Sequence, residues 1–450
     1  MSELLLDVRL DGFTDPAGVL VRDANGALAF SYTPEHLNAQ NSQPLSLSLP
    51  LGDEPYSDVI TRAFFDNLLQ ERDGALADVM AREGLARDDI AGLLEHLGKD
   101  CAGALSVLPM GAPPVKVPGD LDRDYAEITD DRLLAIVSAL HERRRLPDGT
   151  ADSSPLAGVQ SKIALTLLPS GQFAQPSPGS GAPTTHILKV PDRDHRRDAK
   201  LEAATLDLSR SLGIETAKAR VLNVGQLDVL LIERFDRARD VEGRVIRLHQ
   251  EDFAQALGLP AELKYERRGR PGRCFNVAAI RRVLNATIEP AQERERFIQA
   301  TLFDLLTGNV DAHAKNHALM HLGGGRVRTT PRYDLLPTRL DPNLTDELPF
   351  TIGSAKTLQA ITADDFNGFL ETLGIATPAA RRRIAARIGL AIANGLVGAL
   401  DELAQKGMKI YADLIAANMR QLLPVLGVAV PEPAQNRDAF VARGGGWQNS

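Results

Sequence analysis

The run Leu306-Thr-Gly-Asn-Val-Asp311-Ala-His-Ala-Lys-Asn316, with Pro331-Arg-Tyr-Asp334 downstream, constrains this chain more than any other feature. An acid and an amide five positions apart on one loop, with a second acid on a later segment, suffice for a phosphoryl-transfer site. One carboxylate orients the attacking hydroxyl, while the amide and the other carboxylate hold magnesium on the phosphates. Asp311, Asn316 and Asp334 stand in that order. Upstream, Phe297-Ile-Gln-Ala-Thr-Leu-Phe-Asp-Leu-Leu306 has apolar residues at helical spacing, and Gly308 ends the pattern, which lifts Asp311 onto a loop. Asp-x-x-x-x-Asn alone also arises by chance on solvated surfaces, so its surroundings must carry the reading.

At 450 residues the chain exceeds the usual single-domain range, and two or three lobes are expected. Charged residues at 24% and hydrophobic ones at 44% describe an ordinary globular protein. The formal net charge of −8 argues against broad, non-specific binding to nucleic acid or anionic membrane, so any basic surface is local. Cys101 and Cys274 are too few for a disulfide framework and lack zinc-site spacing, which fits a reducing compartment and makes the cytoplasm the expected location. No stretch reads as the roughly 20 apolar residues of a membrane span, and the opening Met1-Ser-Glu lacks a signal-peptide pattern.

The pattern along the chain is strands first, helices later. Gly18-Val-Leu-Val-Arg enters an Asn25-Gly26 turn and Leu28-Ala-Phe-Ser-Tyr returns from it, opening a small α+β module expected over residues 1–150. A second β-rich stretch, 151–236, holds the apolar strands His186-Ile-Leu-Lys189 and Leu227-Asp-Val-Leu-Leu-Ile-Glu233, with a helix from Lys200 to Gly213 between them. Helical periodicity dominates 237–428, interrupted by a hairpin turning at Gly323 to Gly325, and 429–450 is expected to be a flexible tail with Trp447 outside the core. The fold class implied is α+β, a two-lobed protein-kinase-like fold with a β-rich N-terminal lobe, a small N-terminal subdomain and a mostly helical C-terminal lobe.

ATP transfer needs a cation on the phosphates, and a lysine in an apolar strand needs a carboxylate to hold it charged. Lys189, flanked by Ile187, Leu188 and Val190, and Glu202, in the first turn of the next helix, suit those roles. Gly158-Val159-Gln160-Ser161-Lys162 is a short phosphate-loop candidate that matches neither the Walker pattern nor Gly-x-Gly-x-x-Gly; an ordinary strand entry explains it equally well. Leu231-Ile-Glu233-Arg-Phe235 ends the β-rich half where an interlobe hinge would lie. His313, His317 and His321 recur in fours, but without the Glu of His-Glu-x-x-His and with glycines following; His313 is expected to brace the catalytic loop, and with Lys315 to face the nucleotide.

With Ala157-Gly-Val-Gln-Ser-Lys162, Thr184-Thr-His-Ile-Leu-Lys189, Glu233-Arg-Phe-Asp-Arg237, Gln250-Glu-Asp-Phe-Ala-Gln255, Lys264-Tyr-Glu266, Gly308 to Asn316 and Tyr333-Asp334 in this order, the chain resembles the HipA-type serine/threonine kinase toxins of bacterial toxin–antitoxin pairs, from about Leu4 to Leu426. The resemblance implies that Lys189 contacts ATP phosphates, that Glu233 and Phe235 line the adenine site, that Asp311 is catalytic, and that Asn316 and Asp334 bind Mg2+. It also implies a helix-turn-helix, HipB-like antitoxin partner, DNA contact only through that antitoxin, and a protein substrate in translation, an aminoacyl-tRNA synthetase such as glutamyl-tRNA synthetase, whose modification causes growth arrest or persistence. Family members phosphorylate a serine just before the Gly-containing loop; strictly aligned, that position is Pro155, and Ser153 and Ser154 are the neighbouring autophosphorylation candidates. A small-molecule kinase and a non-catalytic antitoxin-binding corepressor are the alternatives.

Overall fold

A computed structural model describes residues 2–69, 74–147, 150 and 160–431. Four of the site candidates, Ser153, Ser154, Gly158 and Val159, and nearly all of the expected tail, including Trp447, lie outside the described residues.

The first unit is a four-stranded antiparallel sheet of order β3-β2-β1-β4, built from β1 (Leu4–Leu10), β2 (Gly18–Arg22), β3 (Leu28–Tyr32) and β4 (Leu105–Pro109). The Asn25-Gly26 turn forms as expected, with Gly26 at φ 87°, and β2 and β3 alternate buried with half-exposed residues, as a sheet covered on one face must. Helices Asp58–Asp66 and Ile90–Leu97 cover that face, burying Phe64, Phe65 and Leu94 against Leu6, Val8, Leu20 and Phe30.

The second sheet is six-stranded and antiparallel, order β5-β7-β6-β8-β10-β9, from β5 (Tyr125–Glu127), β6 (Lys162–Leu167), β7 (Phe173–Pro176), β8 (His186–Lys189), β9 (Ala219–Val224) and β10 (Leu227–Glu233). Helix Asp130–Arg143 lays Leu133, Ile136, Val137 and Leu140 onto Ile163, Leu165, Leu188 and Leu231. This corrects the boundary expected near residue 150. Strand β5 belongs to the second sheet through its pairing with β7, and the helix after it lays its apolar stripe on that sheet's face, so the first unit ends just after β4.

The remaining core is helical: Val277–Asn285, Pro290–Thr307, Ala363–Thr372, Pro378–Gln405 and Lys409–Val425 share one buried cluster. The expected hairpin is present, Ala318–His321 pairing with Val327–Thr329, and Gln250–Asp252 adds a third strand. Beyond Asp334, the strand Glu347–Ile352 pairs with Ala355–Thr357, because Leu348, Phe350 and Ile352 alternate into the core. Helix Pro378–Gln405 contains an 18-residue window of mean hydropathy 1.4, enough to cross a membrane by length and composition, contrary to the sequence reading; its Ile384, Ile388, Ile392 and Leu396 are instead buried in the lobe's own core.

Charge, rather than apolar area alone, fastens the first unit to the rest. Arg247 is fully buried and donates to both carboxylate oxygens of Asp11 at 2.6 and 2.7 Å, to Asp100 at 3.0 Å, to the Leu105 carbonyl at 2.9 Å and to Ser106 Oγ at 3.0 Å. Lys116 approaches the other Asp100 oxygen at 2.8 Å. Burial works to raise the Asp100 pKa, but Arg247 and Lys116 outweigh it and hold the carboxyl below its ordinary value.

Candidate active site

Lys189 closes β8 with its side chain beneath the helix Asp198–Ser211, where Glu202 is fully buried. Lys189 Nζ donates to the two Glu202 oxygens at 2.7 and 3.0 Å and to Asp334 Oδ1 at 2.5 Å. Thus three residues from three separate segments, up to 145 positions apart, meet at one ammonium group. Burial alone would lower the Lys189 pKa; Asp334 and Glu202 more than reverse this, so the lysine stays charged. One cation shared by two carboxylates leaves a net negative charge. Burial drives the Glu202 pKa up, whereas Lys189 and Lys162 together hold Asp334 well below the carboxylate range, outweighing its partial desolvation. The Asp334 side chain keeps 43% of its exposure, so this carboxylate is the one open to a ligand. Its backbone is left-handed at φ 59°, a strained conformation of the kind stored at functional sites.

Lys162 is the direct cross-strand partner of Lys189 in the β6–β8 register. Two lysines side by side repel unless anions are supplied, so the pairing suits phosphate oxygens. Of the short loop before it, Gln160 and Ser161 lead into β6, the Ser161 carbonyl accepting from Val190 N–H at 2.9 Å.

The catalytic loop is held from behind. Helix Pro290–Thr307 ends at Gly308, φ 78°, where a Cβ would fall 2.8 Å from Leu414, so the turn requires glycine. Buried Asp304 accepts from Asn309 Nδ2 at 3.1 Å and from Arg332 Nη2 at 2.8 Å, tying the loop to the segment that presents Asp334. Asn309 Oδ1 accepts from Asp311 N–H at 3.1 Å, and Asn316 Nδ2 donates to the Asp311 carbonyl at 2.8 Å. With its nitrogen so used, Asn316 has its amide oxygen left for a cation. That oxygen and the Asp334 carboxylate are both hard-oxygen donors, the ligand type magnesium takes, so the residues fit the ion.

Asp311 is half-buried, and the Tyr265 hydroxyl donates to its Oδ1. Burial raises the Asp311 pKa and the Tyr265 bond opposes that rise. A raised carboxylate pKa means the ionised, proton-accepting form is lost as pH falls through a value above the ordinary 3.8. Tyr265→Phe removes the opposing donor, so the acid limb of the pH–rate profile should move to higher pH and turnover at neutral pH should fall by about tenfold. An unmoved limb in the purified variant would refute this positioning role.

Other expected residues divide. The Phe235 ring lies 5.6 Å from that of Tyr333, the residue before Asp334. Glu233 ends β10 exposed, with Lys218 at 3.4 Å. The His313 ring packs edge-on against Tyr265 at 5.1 Å, beside Asp311. Lys315, expected at the nucleotide, faces elsewhere: its Nζ donates to Asn67 Oδ1 at 2.9 Å, the Asn67 carbonyl at 3.3 Å and Asp252 at 3.0 Å. Its three protons have three acceptors, which corrects that assignment and makes it a brace between the first unit and the catalytic loop. Sequence reasoning gave no such role to Tyr265, Asp304, Asn309 or Asn67; only Asp304, an acid inside the apolar run that ends its helix, offered a signal.

A family model of the HipA-like C-terminal domain matches residues 154–395, and one of the HipA N-terminal domain matches 6–108. The chain belongs to the HipA family. The HipA N-terminal match ends where the first sheet does, at β4. Among similar proteins, "Putative kinase Y4mE" of Sinorhizobium fredii is 36% identical over 386 residues, 85% of this chain and 89% of that protein. The "Serine/threonine-protein kinase toxin HipA" of Shewanella oneidensis is 30% identical over 379 residues, 79% of this chain and 81% of that protein. A solved Shewanella oneidensis complex of HipA, HipB and operator DNA superposes with a TM-score of 0.74 at 27% identity, covering 94% of this chain and 98% of that one. This HipA-family protein is accordingly a serine/threonine-protein kinase of the two-lobed, kinase-like α+β fold.

Proposed function

We propose that this kinase is the toxin of a type II toxin–antitoxin pair, transferring the γ-phosphoryl group of Mg-ATP to a serine or threonine of a cytoplasmic protein needed for translation, with an aminoacyl-tRNA synthetase, glutamyl-tRNA synthetase first, as the candidate substrate. The convergence of Glu202 and Asp334 on Lys189 Nζ, at 2.7 and 2.5 Å, carries the catalytic part of this reading. Asp311 orients the acceptor hydroxyl and takes up its proton, Lys189 and Lys162 hold phosphate oxygens, and Phe235, with Glu233 at the end of β10, lies along the adenine side. Magnesium, held when bound by Asn316 and Asp334, offsets the charge that develops on the phosphoryl oxygens. The antitoxin role rests on the Shewanella complex with HipB and operator DNA; we assign this chain a helix-turn-helix partner of that kind, with DNA reached through it.

The test is to incubate the purified protein with labelled ATP and lysate of its own host. A labelled protein band, identified by mass spectrometry as a synthetase, supports the reading; label only on metabolites would make it a small-molecule kinase, and no turnover a corepressor. The same reaction tests self-modification at Ser153 or Ser154, where a phosphate adds about −1.5 to −2 charges near the nucleotide. Phosphate found only elsewhere on the chain would overturn that assignment.

A further inference from the structure

Asn316 is positioned through the residue before it. The Lys315 carbonyl accepts from the Tyr333 hydroxyl at 2.7 Å, one residue ahead of Asp334, so the segments that carry Asn316 and Asp334 are joined at that carbonyl. The Lys315 side chain reaches Asp252 and Asn67, and both it and Asn67 are buried. Asp252 is fixed by capping the short helix Phe253–Ala256, where its other oxygen accepts from Gln255 N–H at 2.8 Å. Asn67 belongs to the first unit. It ends helix Asp58–Asp66, and its Nδ2 donates to the carbonyls of Ala63 at 2.7 Å and Leu259 at 2.8 Å, which leaves its Oδ1 for Lys315.

The strand Gln250–Asp252 carries a second link of the same kind. It pairs with Ala318–His321, the strand that follows the catalytic loop. Buried Glu251 accepts from Ser46 Oγ and from Leu47 N–H of the first unit, the latter at 3.0 Å, and its Oε1 lies 3.0 Å from His321 Nε2. His249, just before that strand, has its Nε2 2.8 Å from the Leu45 carbonyl. The first unit therefore reaches residues 311–321 at two points, through Asn67 to Lys315 and through residues 45–47 to His321. A buried ammonium that loses one of three acceptors is left with an unsatisfied proton, and the side chain relieves this by shifting; Asn316, next in the chain, shifts with it.

We propose that Asn67 is a positioning residue for phosphoryl transfer: through Lys315 it sets where Asn316 stands against Asp334, so the first unit takes part in catalysis rather than being an appended module. The proposal rests on the protein-kinase reading. A displacement of about 1 Å at a reacting centre costs up to about a hundredfold in rate, and Asn67 acts at one remove, so a smaller loss is expected. Because Asn67 and Lys315 are buried, the acceptor protein does not touch them. The loss therefore falls on the maximal rate and on magnesium-dependent nucleotide binding, not on affinity for the acceptor.

Two substitutions separate positioning from helix structure. Asn67→Ala and Asn67→Asp both remove the donations to Ala63 and Leu259, but only aspartate leaves an oxygen for Lys315. With the full chain, labelled ATP and host lysate at increasing concentration, Asn67→Ala should lower the maximal labelling rate about tenfold at an unchanged half-saturating lysate concentration, while Asn67→Asp recovers to within about threefold of the unaltered chain. Calorimetry with a non-hydrolysable ATP analogue should show magnesium-dependent binding weakened by on the order of tenfold in Asn67→Ala and restored in Asn67→Asp. Lys315→Met leaves Asn67 and its two donations in place, so it should reproduce the loss even where Asn67→Ala folds poorly. An unchanged maximal rate in Asn67→Ala or in folded Lys315→Met, or an equal fall in both Asn67 variants, overturns the proposal and leaves the kinase reading intact; the equal fall would mean that Asn67 serves only to end its helix. No labelled protein with the unaltered chain would remove the kinase reading and this proposal together.

Discussion

Asp334→Asn should reduce phosphoryl transfer by roughly three orders of magnitude while leaving the protein folded. Asparagine has nearly the same volume, and it is one of the few residues that tolerates the left-handed backbone found here at φ 59°. Lys189 keeps both of its Glu202 contacts, so the N-terminal lobe retains its buried ammonium in a paired state. What disappears is the exposed carboxylate whose pKa Lys189 and Lys162 hold down, and with it the charged member of the oxygen pair suited to magnesium. Asp311→Gln should produce a loss of similar size by a different route, since the amide cannot accept the hydroxyl proton. Initial rates with labelled ATP, together with unchanged circular dichroism, would check both; wild-type turnover in either folded variant would refute the assignment.

Arg247→Met should destabilise the protein by about 3–5 kcal/mol, the largest stability effect expected of any single substitution here. The methionine fills a similar volume, but Asp100 loses the group that outweighs its burial, Asp11 loses its two-point partner, and the Leu105 carbonyl and Ser106 lose a donor. Lys116, 2.8 Å from Asp100, offsets only part of that deficit. Urea unfolding should show a lower midpoint, with the first unit detaching at the lower concentration, because Arg247 joins that unit to the strand Val245–Arg247. A midpoint like that of the unaltered protein would show that the network is solvated.

Catalytic spacing was legible because it is local. Asp311 and Asn316 share one loop, and the helix before them announces its end with Gly308, so periodicity and one glycine were enough. The Lys189 strand and Glu202 helix were likewise readable from runs of apolar residues. The fate of Lys315 was not. Its neighbours in sequence place it at the nucleotide, but its partners are Asn67 and Asp252, of which the first is 248 positions away. The same holds for Tyr265, brought to Asp311 across 46 positions, and for helix Asp130–Arg143, whose stripe does not say which of two sheets it will cover.

From the sequence alone came the residues able to do phosphoryl chemistry, the order of β-rich before helical segments and the turns that end them, since each depends on side-chain type and spacing within a few turns of chain. Tertiary structure alone decided which carboxylate joins Glu202 on the buried lysine and which lysine is spent on bracing the loop. Those outcomes depend on distances between remote segments, and electrostatic energies at a few ångströms change too steeply with distance to be read from positions along a chain.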